Sequence, residues 1–248
     1  MKKYTFFVLI ILISLLVGCQ NRNKDNTPNK TSDINNDSME YTYDFEEDLD
    51  GWTGGYAGVS ENYSMYDYDV NFSDNNTLLF DGTNKGIYLT NNNVDTSKNN
   101  YMYTTKNFSR ADGLLPLTNY LVDLKFDIAP SLINNIENVP YDKIQVKAGV
   151  VNIQPTTNFE KDDDNNYYYI DLDDDNSINE ENLTLLGNAA IEGLENKNSY
   201  IQKSFNKNFE VMTNSNGELW VIIGINTNYD GDSSLFIDNV SIKISNAE

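Results

Sequence analysis

The sequence predicts an all-β fold, a jelly-roll β-sandwich over residues 41–248, and three observations lead to it. Apolar and polar residues alternate along several segments, as in strands that bury one face. Turn sequences such as Asp81-Gly82 and Asp230-Gly231 separate these segments. Helical periodicity is nearly absent, and only residues 188–196 suggest a short helix. About ten strands with such turns are typical of a sandwich, and of a jelly roll in particular.

The clearest strands follow from their own patterns. Between residues 120 and 128, apolar residues alternate with a polar set made of Asp123, Lys125 and Asp127. The same alternation appears over 143–151, and over 234–244 with a change of phase at Asp238-Asn239. Residues 218–225 are mostly apolar on both faces, which predicts a central strand covered on two sides.

Composition excludes several kinds of chemistry. The chain has 248 residues, 17 Lys+Arg, 38 Asp+Glu, one Cys and no His, with a formal net charge of −21. Without imidazole there is no Ser-His-Asp triad or His-built zinc site, and one Cys allows no intramolecular disulfide. The acidic excess argues against nucleic acid as a partner, because its binders neutralise phosphates with Lys and Arg.

The N-terminal residues have the organisation of a secretory signal peptide. Lys2 and Lys3 precede a mostly apolar run over residues 4–17, which is shorter than the roughly 18–20 residues of a membrane span. Leu16-Val17-Gly18-Cys19 then resembles the lipobox of bacterial lipoproteins. That resemblance implies cleavage after residue 18, a diacylglycerol thioether on Cys19 and N-acylation of its amine. The expected location is the bacterial cell envelope, lipid-anchored to the membrane and facing outside the cytoplasm.

Residues 19–40 predict a disordered linker between the lipid and the folded domain. The segment is polar and cannot bury enough apolar surface to offset its ordering entropy. Twenty flexible residues span about 25 Å root-mean-square. Losing Lys2 and Lys3 with the signal leaves 15 basic against 38 acidic residues, a mature charge of −23. Repulsion from anionic lipid then favours a domain held away from the surface, with the lipid anchor as its only membrane contact.

Framework motifs near both ends of the domain add a resemblance. Asp44-Phe45-Glu46, Leu49-Asp50-Gly51-Trp52 and the stretch 235–242 resemble the first and last strands of galactose-binding-like jelly rolls, a fold common in carbohydrate-binding modules. The stretches 44–57 and 217–224 are similar to a group of bacterial lipoproteins of unassigned function. Gly58 stands where that group tends to have Asp, so no role of that acid carries over.

One acidic loop has the spacing of a calcium site. Counting from Asp171, acids stand at positions 1, 3 and 5, and the candidate ligands are Asp171, Asp173, Asp175, Ser177 and Asn179. This resembles the calcium loop of EF-hands and dockerins, whose alternate oxygens converge on one ion. Position 12 is Asn182, which cannot supply the bidentate carboxylate of an EF-hand. A solvated acidic loop is the alternative.

A second candidate calcium site consists of Asp44, Glu46 and Asp238. These acids come from the predicted first and last strands, which lie side by side in jelly-roll binding modules. Three adjacent carboxylates would repel one another without a cation. The alternative is that Asp44 and Asp238 accept backbone hydrogen bonds at strand ends.

An aromatic cluster is the candidate glycan-binding surface. Trp52, Tyr56, Tyr63 and Tyr66 follow the first predicted strand, close to many Asn and Asp residues. Sugars stack C–H faces on aromatic rings and direct hydroxyls to such polar groups. The same aromatic residues are also ordinary components of a sandwich core, which is the alternative for Trp52 in particular.

Three functions follow as hypotheses, and the first is preferred because no catalytic signature stands out. It is a surface-anchored lipoprotein whose domain binds extracellular glycan, with calcium as a cofactor and no catalysis of its own. The second is a structural or adhesive surface protein with a protein partner. The third is a glycoside hydrolase that works with paired carboxylates.

Calcium binding by the 171–182 loop predicts a thermal shift. Without a position-12 carboxylate, the expected Kd is roughly 10⁻⁴–10⁻³ M, typical of extracellular modules. A tenfold excess of calcium would then stabilise the fold by about 1.4 kcal/mol. The melting temperature should rise by a few degrees in millimolar calcium, and Asp173→Ala with Asp175→Ala should abolish the rise. Equal melting temperatures in calcium and EDTA would contradict both calcium candidates.

Overall fold

The structure is a computed structural model. It describes residues 38–60, 68–69, 85–91, 100–130, 140–161, 166–171, 182–191, 202–227 and 233–247. In chain order, their strands are β1 Ser38–Tyr43, β2 Thr53–Ala57, β3 Val59–Ser60, β4 Tyr68–Asp69, β5 Ile87–Asn91, β6 Asn100–Phe108, β7 Asn119–Pro130, β8 Ile144–Val151, β9 Thr156–Lys161, β10 Asn166–Asp171, β11 Thr184–Asn188, β12 Lys203–Met212, β13 Leu219–Thr227 and β14 Ser233–Asn246. Two 3₁₀ turns, Arg110–Asp112 and Tyr141–Lys143, precede β7 and β8. Among the described residues, no helix is long and apolar enough to cross a membrane.

The strands form two large antiparallel sheets and one small one. The six-stranded sheet has the order β12-β7-β14-β5-β4, with β1 also paired to β14. The five-stranded sheet has the order β11-β8-β13-β6-β2, and the small sheet has the order β3-β10-β9. The predicted all-β sandwich is therefore confirmed.

The strand order is that of a jelly roll. Eight strands form two four-stranded layers, β5-β14-β7-β12 and β6-β13-β8-β11. From β5 onward the chain changes layer at each step except from β8 to β11, and the last strand, β14, lies between β5 and β7. Two interlocked Greek keys have this order. Strands β1, β2 and β4 extend the two layers.

The main core lies between the two large sheets. Along β7, every second residue from Tyr120 to Ile128 is buried and points into this core, as the alternation predicts. All nine residues of β13 are buried, because its outer face packs against a second apolar cluster. The prediction that β13 is covered on both faces is confirmed.

The folded domain begins earlier than the sequence suggests. Strand β1 starts at Ser38, within the predicted linker, and pairs with β14 from Ser38–Ser245 to Tyr43–Val240. Met39 packs against the core, and Glu40 forms an ion pair with Lys243 at 2.9 Å. Backbone pairing to β14 orders a segment whose side chains alone predict disorder. The sequence suggests a short helix at 188–196. Asn188 is instead the last residue of β11, and residues 192–196 lie outside the described part.

Candidate functional site

The outer face of the five-stranded sheet is aromatic and covered. It carries Tyr101 and Tyr103, whose rings stack at 5.9 Å between centroids and 17° between planes, and Trp220. Glycines leave room for both rings, since a Cβ at Gly224 would lie 2.5 Å from the Tyr101 hydroxyl and one at Gly55 would lie 2.4 Å from that of Tyr103. All three aromatic side chains are nevertheless buried.

The cover comes in part from the segment between β8 and β11. The Thr157 hydroxyl donates to the Tyr56 carbonyl at 2.8 Å and also bonds the Tyr103 side chain. Leu183 joins the apolar cluster beside Gly149. Burial, and then the charge of neighbouring Tyr103, raises the pKa of Tyr101. Because the folded-state pKa lies above the unfolded value of about 10, the fold keeps this stability below that pH and loses it as pH rises further.

The outer face of the six-stranded sheet is open and polar. Its residues share the face by register, since Asp123 lies opposite Asn208 and Lys243, and Lys125 lies opposite Asn206 and Ser241. We call this surface the polar face. It comprises Glu40 and Thr42 of β1, Asp123, Lys125 and Asp127 of β7, Ser204, Asn206, Asn208 and Glu210 of β12, and Asn239, Ser241 and Lys243 of β14. These residues are exposed or half-buried.

Asp127 organises one end of the polar face. Its carboxylate accepts hydrogen bonds from the Ser204 hydroxyl at 2.5 Å and from the Asn239 side-chain amide at 3.0 Å. Asn239 reaches it because a bulge in β14, between Asp238 and Ser241, gives Asn239 a φ of 49°. The bulge also accounts for the predicted change of phase at Asp238-Asn239. Asn and Gly tolerate such backbone angles better than most residues.

Two ion pairs lie across the rest of the polar face. Lys125 Nζ is 3.4 Å from Asp123 Oδ2, and Lys243 Nζ is 2.9 Å from Glu40 Oε1. Both pairs are substantially exposed and therefore add little to stability. Asp123 Oδ1 is buried without a hydrogen-bond partner among the described residues.

Aromatic residues border the polar face beyond Asp127. Tyr88 of β5 lies opposite Phe236 of β14, with 5.0 Å between ring centroids and a 37° tilt. Phe236 and Ala129 are fully buried, whereas Tyr88 is half-buried. Tyr88 is therefore the aromatic ring that the described residues place at the edge of this face.

The predicted aromatic surface is not assembled as expected. Trp52 is only 2% exposed and packs edge-on against Tyr43 and Phe45, with ring centroids 5.6 and 6.1 Å away. Trp52 as a sugar-stacking residue is thus wrong, and its core alternative is confirmed. Tyr56 is half-buried against the same core. Tyr63 and Tyr66 lie outside the described residues.

The acids of the second calcium candidate make separate contacts. Asp44 Oδ1 accepts from the Glu46 amide at 3.2 Å, and Glu46 Oε1 accepts from the Lys85 amide at 3.0 Å. Asp238 is buried and accepts from the Asn239 amide at 2.7 Å. Within the described ranges, no three His, Cys, Asp or Glu residues lie together as a metal site. The backbone-acceptor alternative fits Asp44 and Asp238.

The other predicted sites fall largely outside the described residues. Asp171 ends β10, and Asp173, Asp175, Ser177 and Asn179 follow beyond the described part. Calcium binding by that loop stays a prediction. Cys19 also lies outside the described residues, so its lipidation stays a prediction.

Sequence reasoning missed half of the polar face. The alternation over 120–128 separates Asp123, Lys125 and Asp127 from the core, as the structure confirms. The same signal is present in β12, where Ser204, Asn206 and Asn208 alternate with Phe205 and Phe209. To place these β12 residues beside those of β7, one must know that the two strands pair, and the local sequence does not show this.

Comparison with known proteins gives distant structural neighbours. No family model matches the sequence, and no curated protein matches it. A carbohydrate-binding module, TmCBM27, described for specific mannan recognition, is 13% identical with a TM-score of 0.34, over 82% of this chain and 94% of that one. TmCBM61, described in complex with β-1,4-galactotriose, is 10% identical with a TM-score of 0.30, over 77% and 87%. The K1 cleaved adhesin domain of Lys-gingipain from Porphyromonas gingivalis W83 is 11% identical with a TM-score of 0.32, over 82% and 96%. Likeness at this level assigns no ligand to this chain.

The core position of Trp52 predicts two different mutant stabilities. Trp52→Ala should cost about 3–5 kcal/mol, as removal of a buried aromatic side chain does. Trp52→Phe should cost much less, because it keeps an aromatic ring in the core. It also removes the indole N–H, which is buried without a hydrogen-bond partner among the described residues. Urea unfolding followed through Trp220, the other Trp of the chain, measures both. Equal losses for the two variants would contradict the core position of the ring, because only Trp52→Phe keeps an aromatic ring there.

Proposed function

We propose that this chain is a surface-anchored bacterial lipoprotein whose jelly-roll domain binds extracellular glycan without catalysis of its own. The observation that carries the proposal is the polar face. It is an open, regular sheet surface on which amides, carboxylates, hydroxyls and ammonium groups stand on four adjacent strands.

The spacing of the polar face suits a ligand rich in hydroxyls. Neighbouring strands lie about 4.8 Å apart, so donors and acceptors repeat across the face at that interval. A polysaccharide presents a regular series of hydroxyls, and each can donate and accept. Asn206 and Asn208 supply amides, which offer both kinds of group, and they lie beside Lys125 and Asp123.

The negative charge of the chain argues for a neutral rather than an acidic glycan. The chain carries −21, and the polar face itself holds Glu40, Asp123, Asp127 and Glu210 against Lys125 and Lys243. Uronic-acid, sulfated or phosphorylated glycans would be repelled by this field. A neutral polysaccharide is therefore the proposed ligand, with Tyr88 placed to contact a ring at the aromatic border.

Affinity electrophoresis of the mature protein through gels containing neutral plant, fungal and bacterial polysaccharides tests this proposal. At least one polysaccharide should retard the protein. Asn206→Ala, Asn208→Ala and Asp127→Ala should each weaken that interaction by about 2–12-fold, corresponding to a net hydrogen bond of 0.5–1.5 kcal/mol.

Asn107→Ala is the matched control, because Asn107 is an exposed amide on the five-stranded sheet. It should leave retardation unchanged. If no polysaccharide of the panel retards the protein, and the protein binds no glycan on an array with calcium present, glycan binding is excluded. Equal loss in the control and the polar-face variants would place the binding site elsewhere.

Anchoring by Cys19 makes its own prediction. Two or three acyl chains hold a protein in a leaflet, whereas one chain does so only marginally. Cys19→Ser should release the protein into the medium or leave the precursor uncleaved, because no thioether with diacylglycerol can form. Fractionation with metabolic labelling by a radioactive fatty acid measures this outcome. Mature mutant protein that still sediments with membranes would contradict it.

A further inference from the structure

One end of the sandwich presents a cluster of large apolar side chains to solvent. Four of the five exposed large apolar residues in the described part lie there, namely Leu115, Leu117, Leu121 and Met212. We call this set the leucine end. Leu121 and Met212 are diagonal neighbours on the outer face of β7 and β12, and residues 113–118 lead directly into β7.

The two most exposed leucines are held by a rigid frame. The Thr213 hydroxyl donates to the Leu115 carbonyl at 2.6 Å and accepts from the Thr118 amide at 3.1 Å. The Leu117 amide donates to the Asn214 carbonyl at 3.2 Å. Although Thr213 is fully buried, Leu115 and Leu117 are 61% and 65% exposed. Their exposure is therefore a property of an ordered loop.

The backbone at the same place adopts an uncommon conformation. Leu117 has a φ of 50°, in the left-handed region that a bulky residue rarely occupies. An Asn or Gly would fit that angle with less strain, yet the position carries an apolar side chain directed to solvent. Phe45 has a similar φ of 53°, but it lies in the core, where packing holds it. At Leu117 the same strain is kept with the side chain in solvent, and strained backbone of this kind clusters at functional sites.

The N-terminal linker leaves the domain from the leucine end. Ser38 is the first described residue and pairs with Ser245, which pairs with Leu121 on the other side of β14. A Cβ at Gly113 would lie 3.3 Å from the Met39 sulfur, so β1 also touches the loop that carries the leucines. The chain toward Cys19 thus starts beside these apolar side chains.

A flexible linker of the predicted length would keep that end close to the proposed lipid anchor. Residues 20–37, 18 in number, separate Cys19 from Ser38. A flexible chain of that length has a root-mean-square span of about 24 Å. The 14 residues of β14 extend over about 46 Å, so the opposite end of the sandwich is held much farther away. Tethering gives the leucine end a high effective concentration at the membrane surface.

We propose that the leucine end inserts its apolar side chains into the boundary between the headgroups and acyl chains of the anchoring membrane. The inference rests on the proposed lipid anchor and goes beyond it by fixing the orientation of the domain. It replaces the sequence-based expectation that the folded domain is held away from the membrane. Apolar burial drives such contact. No cluster of basic residues accompanies these leucines in the described part, where Arg110 shares its 3₁₀ turn with Asp112 and bonds the Asn216 carbonyl. The contact therefore does not require anionic lipid.

Fluorescence depth measurement on the lipidated full-length protein tests the orientation. Lipidation consumes the thiol of Cys19, the only native Cys, so Leu117→Cys supplies a single labelling site. The protein is labelled with bimane and reconstituted into phosphatidylcholine vesicles, with or without bromine atoms on the acyl chains. Asp142→Cys is the control, because Asp142 is exposed at the opposite end, beside the start of β8.

The label at 117 should emit at shorter wavelength than the label at 142, and brominated chains should quench it ~2-fold or more, as expected for an interfacial side chain. Met212→Cys should behave like Leu117→Cys, which protects the test against misfolding of one variant. Leu115→Ser in the Leu117→Cys background should reduce the quenching, since it removes a neighbouring apolar contact.

Other outcomes overturn the inference in distinguishable ways. Protein that fails to float with vesicles would overturn the anchor and, with it, this orientation. Protein that floats but carries water-exposed labels at both 117 and 212 would overturn the orientation alone. A blue-shifted label at 117 that brominated lipid does not quench would show that a second copy or another protein covers the leucine end.

Discussion

The pairing of β14 with three other strands is the constraint on which this fold depends. One edge of β14 bonds β7 along most of its length, and the other edge bonds β5 and then β1. The last strand therefore joins the first strand to the middle of the chain. Because these contacts are distant in sequence, their closure entropy is repaid only when the whole sandwich forms. The bulge at Asp238-Asn239 lies between the part of β14 that pairs with β5 and the part that pairs with β1. It also turns Asn239 onto the polar face.

The same topology gives the two outer faces of the sandwich different roles. Thr157 and Leu183, from the segment between β8 and β11, help to cover the outer face of the five-stranded sheet, where Tyr101 and Tyr103 lie over glycines. Over much of the six-stranded sheet, the outer face stays open and polar. Aromatic content alone is thus a poor guide to a ligand surface in this chain. Accessibility and hydrogen-bonding capacity point to the polar face instead.

Local patterns predicted the strands well and the site only in part. The alternation over 120–128 corresponds to β7, and the segment 218–225, apolar on both faces, corresponds to β13. A strand buried on one face has apolar residues at every second position, whereas a strand buried on both faces shows no alternation. Trp52 shows the limit, since an aromatic residue beside Asn and Asp suits a sugar site or a core equally well. Its edge contacts with Tyr43 and Phe45 decide for the core. Ser38, Met39 and Glu40 were likewise predicted to belong to the linker but form the start of β1. Local composition does not indicate a pairing partner some 200 residues away.

The proposed anchor, the leucine end and the polar face are mutually consistent in orientation. The strands of the six-stranded sheet run from the row of Ser38, Ser245, Leu121 and Glu210 at the leucine end toward Asp127 and Ser204. With the leucine end on the membrane, these strands rise from the surface, and the polar face stands beside them, open to the exterior. A long neutral polysaccharide then reaches the face from the side without passing between the protein and the lipid. A domain lying flat on its six-stranded sheet would instead press the acids along the whole face, Glu40, Asp123 and Asp127 among them, against the headgroups, which a chain of net charge −21 disfavours.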